Sequence, residues 1–168
     1  MAQSITLKYT PTQQDYAQVL RLIMLRSIVN QILMGFLAVG FVFIIFNIVS
    51  QATPITFITL IWLLLPPLFI IYIIFIQPNR MAKQYMANEQ LAAEYTWEVG
   101  DAGVQISTSF GSTQLEWDTL SRLVTTKDYY LLYVKKSRYA PRFLPRRSFT
   151  SEQDQNTFLQ LITSHLSK

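Results

Sequence analysis

The sequence predicts an α+β membrane protein, in which a transmembrane helical hairpin is joined to a cytosolic antiparallel β-sheet or barrel capped by a C-terminal helix. Three observations predict it. Residues 27–79 contain no charged side chain. Arginine and lysine flank that stretch on both sides and are missing from its middle. After Glu94 the apolar period turns from helical to alternating, and it becomes helical again only beyond Thr150.

The first 26 residues form an arm. Ile5, Leu7 and Tyr9 alternate with Thr6, Lys8 and Thr10, the pattern of a short strand that buries one face and needs a sheet to join. Thr10-Pro11-Thr12-Gln13 then reads as a helix start, with Thr10 as cap, proline at the first helical position and Gln13 reaching back. Tyr16, Val19, Leu20 and Ile23 recur at helical spacing, which predicts one long helix running into the first span.

Residues 27–76 are the hairpin, with spans over 27–49 and 55–76 and a loop at 50–54 on the translocated side. At about 1.5 Å per residue each span covers roughly 33–35 Å, enough for a hydrocarbon core of about 30 Å. A chain of 168 residues retains too little mass to wrap two all-apolar helices in a soluble core. A signal peptide is excluded by the length of the first apolar run. Charged residues make up only 14% of the chain, against about 25% in a globular protein, which fits an apolar solvent. Arg21 and Arg26 precede the hairpin and Arg80 and Lys83 follow it, so both termini are placed in the cytoplasm. Asn30, Gln31 and Asn47 lie near the ends of the first span, where headgroup water can satisfy their amides. Pro66-Pro67 removes two backbone donors within the second span and predicts a kink there.

Residues 77–93 predict a juxtamembrane helix, and residues 94–168 a small domain. Tyr95, Trp97 and Val99 share one strand face, Gly100 to Gly103 is a turn, and Val104 to Thr108 is the return strand. Thr113 to Trp117, Leu120 to Thr126, Tyr129 to Lys135 and Arg142 to Pro145 supply further short strands, five or six in all. Thr150-Ser151-Glu152-Gln153 is a capping box, after which Phe158, Leu159, Ile162 and Leu166 form the apolar face of a closing helix.

The chemistry available is narrow. With no cysteine, thiolate nucleophiles and cysteine-bound metals are excluded. The single histidine, His165, falls at an exposed helix end and cannot build a metal site or a triad alone. Glu116 and Asp118 flank Trp117 on a predicted strand, where a solvated polar face accounts for them, and Trp97 and Trp117 read as core volume. The sequence therefore predicts no enzyme and no cofactor. Charge is polarised instead. Residues 84–121 carry no base, whereas residues 129–151 carry no acid and contain Lys135, Lys136, Arg138, Arg142, Arg146 and Arg147. These six are the candidate contacts for anionic lipid headgroups or a membrane protein partner, the alternative being that they balance the acidic strands. No motif for nucleic acid is present.

An order of motifs carries a family resemblance. The N-terminal strand with Asp15-Tyr16, the hairpin, Val99-Gly100-Asp101-Ala102-Gly103-Val104, Leu115-Glu116-Trp117-Asp118, Phe143-Leu144-Pro145-Arg146-Arg147-Ser148-Phe149 and a final helix with Phe158-Leu159 resemble the bacterial YcxB-like proteins over nearly the whole chain. The resemblance implies a bacterial inner-membrane protein with a cytosolic domain similar to the pleckstrin-homology (PH-like) fold. It implies no activity and no site residues. The function predicted is a membrane-anchored binding or scaffold module acting through its C-terminal domain, with an oligomeric transporter or a membrane-bound enzyme as the alternatives.

Overall fold

Alternation at Ile5, Leu7 and Tyr9 produces a strand, β1 (Ile5–Tyr9), with all three side chains buried and Thr6 and Lys8 exposed. The computed structural model describes residues 4–50, 56–135 and 137–166, with the side chains of 58 and 137–140 left aside. The chain divides into two compact units. One is built from residues 4–15 together with those from 85 onward; the other comprises residues 16–84.

In the first unit β1 pairs antiparallel with β2 (Tyr95–Gly100), Ile5 opposite Val99 and Tyr9 opposite Tyr95. The N-terminal strand therefore joins the sheet from which the apolar segment separates it in sequence. A two-residue turn leads from β2 to β3 (Gly103–Thr108), which pairs in turn with β4 (Gly111–Leu115). Gly103 stands at φ +137°, where a Cβ would lie 2.3 Å from the Leu115 carbonyl oxygen, so only glycine fits. A second sheet follows in the order β5 (Leu120–Thr125), β6 (Tyr129–Val134) and β7 (Ser137–Pro145). The strands thus form a four-stranded and a three-stranded sheet and not a closed barrel.

A link between the two sheets is made by Tyr9. Its hydroxyl donates to the Phe143 carbonyl at 2.6 Å, and its ring stacks on Tyr95 and tilts against Phe143. The helix α6 (Glu152–Leu166) packs on β5, β1 and β2, burying Phe158, Leu161 and Ile162. Ser151 caps it by accepting from the Asp154 N–H, with Thr150 bonded to the Asp154 carboxylate. The core is centred on Trp97, Val99, Val104, Leu131, Leu132 and Leu144, all essentially without solvent access. Five consecutive residues of β6 are buried because strands lie on both its sides and both its faces are covered. The strand expected over Thr113 to Trp117 ends at Leu115. Glu116, Trp117 and Asp118 lie instead at a 3-10 turn (Trp117–Thr119), so the two carboxylates do not share a strand face.

The second unit holds the apolar helices α2 (Ile28–Val49) and α3 (Phe57–Ile71), which pack on each other. Both helices are long and apolar enough to cross a membrane, the second continuing to Met86. No residue of α2 is buried. The loop residues 51–55 lie outside the described residues. The expected single long helix is broken: α1 (Gln13–Arg26) stops, Ser27 adopts extended angles and α2 begins. The break frees carbonyls in the last turn of α1, and the predicted headgroup-facing amides serve them. Asn30 Nδ2 donates to Met24 O at 2.9 Å and Gln31 Nε2 to Leu25 O at 3.0 Å.

The second apolar helix runs through Pro66 and Pro67 and relaxes into a π-helical turn over Tyr72–Ile76 before α4 (Gln77–Met86). Pro78 has no N–H for the Ile74 carbonyl. Arg21 Nε takes that place at 3.0 Å, its guanidinium over the Phe75 ring. The juxtamembrane helix expected over 77–93 ends at Met86, and a short α5 (Glu89–Ala92) follows, capped by Asn88.

Candidate functional site

Two places in the sheet unit concentrate polar groups, and both are set by local sequence. The first begins at Thr12-Gln13-Gln14-Asp15. Thr12, not Thr10, is the cap of α1: its hydroxyl accepts from the Asp15 N–H, and Asp15 reaches back to the Thr12 N–H at 2.7 Å and hydroxyl at 2.8 Å. Pro11 is fully buried just before it. This box aims the Asp15 carboxylate into the domain, where it is only 1% exposed.

Two distant residues meet it there. The Tyr129 hydroxyl, at the start of β6, donates to Oδ1 at 2.9 Å. Arg147, in a 3-10 turn (Arg146–Ser148) after β7, clasps both oxygens with a two-pronged fork at 2.5 Å. Tyr129 lies opposite Pro145 in register, so the turn after β7 delivers Arg147 beside it. The Thr126–Tyr129 turn is closed by the Thr126 hydroxyl, and the Arg146 N–H donates to the Asp128 carbonyl.

Burial alone would raise the Asp15 pKa. The Arg147 fork, the Thr12 N–H and hydroxyl and the Tyr129 hydroxyl outweigh it and bring the carboxyl to about 2. Burial, then the bond to Asp15, pushes the Tyr129 phenol up, and the same carboxylate raises Arg147. A carboxylate engaged by five hydrogen bonds and held near 2 is a poor proton acceptor, so this cluster fastens the arm to the sheets and supplies no base.

The second place is a groove of about 290 Å³ at one end of the four-stranded sheet, lined among others by Tyr95, Ile106, Thr108, Ser112, Thr113 and Arg142. No acidic side chain among the described residues lines it. Phe110, in the turn from β3 to β4, stands at its rim, 54% exposed. The turn is pinned by Thr108, whose hydroxyl accepts from the Phe110 N–H and donates to the Gly111 carbonyl.

The six candidate cations fall apart into different roles. Arg147 is the partner of Asp15, although its side chain is 52% exposed. Arg146 lies 5.1 Å from the Tyr130 ring centroid, half-buried, with its Nε unpaired. Arg142 is exposed on β7 and opens into the groove, and Lys135 is exposed in the turn after β6. Lys136 and the Arg138 side chain lie outside the described residues. Among the described residues Arg147 to Asp15 is the only ion pair, so the acidic strands do not neutralise Arg142 or Lys135 by direct contact. No group of three metal-ligating side chains occurs among the described residues. His165 is half-buried, not exposed. Its ring stacks on Trp117 at 4.5 Å, and the Trp117 indole N–H donates to the Asp101 carbonyl at 3.0 Å, while Trp97 is core as predicted.

Residues 99–162 match the family described as YcxB-like protein. This segment is YcxB-like. It runs from the end of β2 into α6 and takes in Tyr129, Arg142 and Arg147, whereas β1, Asp15 and the apolar helices stand outside it. No curated protein and no solved structure matches the chain. Sequence reading found the basic residues of the YcxB-like segment but missed the carboxylate that engages one of them. The signal available was Thr12-x-x-Asp15, itself a capping box.

Proposed function

We propose that the chain is a membrane-anchored binding module of the bacterial inner membrane. Its two apolar helices are the anchor, and its sheet unit is a cytosolic, PH-like domain that engages anionic headgroups at the inner leaflet. One observation carries this reading: β1 and β2 are neighbours in the sheet yet stand on opposite sides of the apolar hairpin in sequence. The anchor is an insertion in the sequence of the domain. The succession of a four-stranded sheet, a three-stranded sheet and a C-terminal helix supports the PH-like assignment. Helix α2 has no buried residue, which supports an apolar surrounding medium.

Hydrogen exchange on the full chain in nanodiscs tests it. In phosphatidylcholine containing phosphatidylglycerol, amides of the sheet unit gain protection over pure phosphatidylcholine. Identical exchange in the two lipids refutes headgroup engagement. The full chain is required because residues 94–168 alone lack β1 and Asp15.

A further inference from the structure

We infer that the groove at the end of the four-stranded sheet is the headgroup site, with Arg142 holding the lipid phosphate and Phe110 entering the apolar layer beside it; the inference rests on the membrane-anchored reading above.

Every other large apolar side chain exposed among the described residues falls between Leu25 and Ile76, within α1 or the apolar helices. Phe110 is the exception, and its turn is pre-set by Thr108 instead of being free to fold the ring inward. Its place is informative. Tyr9, where the chain leaves for the hairpin, pairs with Tyr95, where it returns, and Ser107 pairs with both Thr96 and Ser112. The β3–β4 turn is thus at the tethered end of the sheet, and the β2–β3 turn at Asp101-Ala102 is at the other.

Beside Phe110 the groove offers the chemistry of a phosphate receptor. Arg142 supplies a planar fork suited to two phosphate oxygens. Ser112 and Thr113 add hydroxyls, Gln90 an amide, and no carboxylate among the described residues lines it to repel an anion. At about 290 Å³ the groove is small for a whole ligand and sized for a headgroup whose acyl chains remain outside it. A cation within and an aromatic ring at the rim match the two halves of an anionic lipid at an interface.

The chain has no cysteine, so single labelling sites can be introduced. Ser109→Cys places a fluorophore beside Phe110, and Ala102→Cys places it at the opposite end of the sheet. Each full-length variant is reconstituted in nanodiscs of phosphatidylcholine with increasing phosphatidylglycerol and a nitroxide-labelled lipid. Quenching at Ser109 rises with phosphatidylglycerol while Ala102 stays unquenched. Arg142→Gln shifts the phosphatidylglycerol needed for half-maximal quenching upward by about fivefold. Arg142→Lys falls between the two, and Phe110→Ser lowers quenching at every composition. Equal quenching at the two positions overturns the inference, as does an Arg142→Gln variant that titrates like the parent. Reversal of the quenching by inorganic phosphate at constant ionic strength overturns the lipid assignment. Exchange protection that persists alongside equal quenching leaves the binding module standing and removes this site alone.

Discussion

Asp15→Asn removes one charge at nearly constant shape. At about 1.36 kcal/mol per pH unit, the difference between an ordinary carboxyl at 3.8 and Asp15 at about 2 corresponds to ~2.5 kcal/mol of stability at neutral pH. An asparagine also turns one acceptor oxygen into a donor facing donors, because Oδ1 receives Tyr129 and Arg147 and Oδ2 receives Thr12 and Arg147. Arg147, half-exposed, can rehydrate once released, which places the total at the lower end of the ~3–5 kcal/mol for breaking a buried pair. A loss of about 3 kcal/mol lowers the midpoint of a domain this size by roughly 10–20 °C. Tryptophan fluorescence of the full chain in detergent during heating measures it. The pH dependence supplies a second readout. The native carboxyl is lowered, so the unfolded chain binds the proton first, and the contribution is present above pH 3.8 and lost as the pH falls towards about 2. The gap between parent and Asp15→Asn should therefore narrow over that window. A midpoint within 2–3 °C of the parent at neutral pH, or a gap unchanged by acid, would refute the fastening role.

Three other outcomes follow from the geometry. Gly103→Ala meets the Leu115 carbonyl and an unfavourable φ, and should cost about 2 kcal/mol or more, read as a lowered thermal midpoint with the helical signal of the hairpin retained. Arg21→Met should destabilise the hairpin by about 1 kcal/mol in the parent but by less in a Pro78→Ala background, where residue 78 regains the N–H for Ile74; a double-mutant cycle in detergent with no coupling would contradict this. Tyr9→Phe leaves the buried Phe143 carbonyl short of a donor and should lower stability by about 1–3 kcal/mol in chemical denaturation, while a reporter fused after Lys168 should be active in the cytoplasm.

What could be read from the sequence was whatever local periodicity encodes. Trp97 and Val99 on β2 and Phe158 and Ile162 on α6 bury as expected, because each pattern repeats within a few residues, whereas Tyr95 is only half-buried. Ser27 shows where periodicity misleads. The apolar pattern continues across it, but the amides of Asn30 and Gln31 compete for the α1 carbonyls and stabilise a break that no hydrophobic count registers. Thr10 and Thr12 are both plausible caps by composition, and the choice falls to Thr12 because Asp15 has partners 114 and 132 residues away. The same distance hides the groove. Arg142 is one of six cations in thirteen positions, and only strand register separates it from Arg147, already engaged.

The pairing of β1 with β2 also imposes an order on synthesis. Tyr9 leaves the ribosome 86 residues before Tyr95, an interval of about 4–17 s at ~5–20 residues per second. Throughout that time β2 is still to be made, and the stretch made in between includes the whole apolar hairpin. The edge strand can be claimed only after both apolar helices have emerged and β2 has followed them. Completion of the sheet therefore waits until the whole hairpin has been made, and it requires Tyr9 and Tyr95 to end on one side of it.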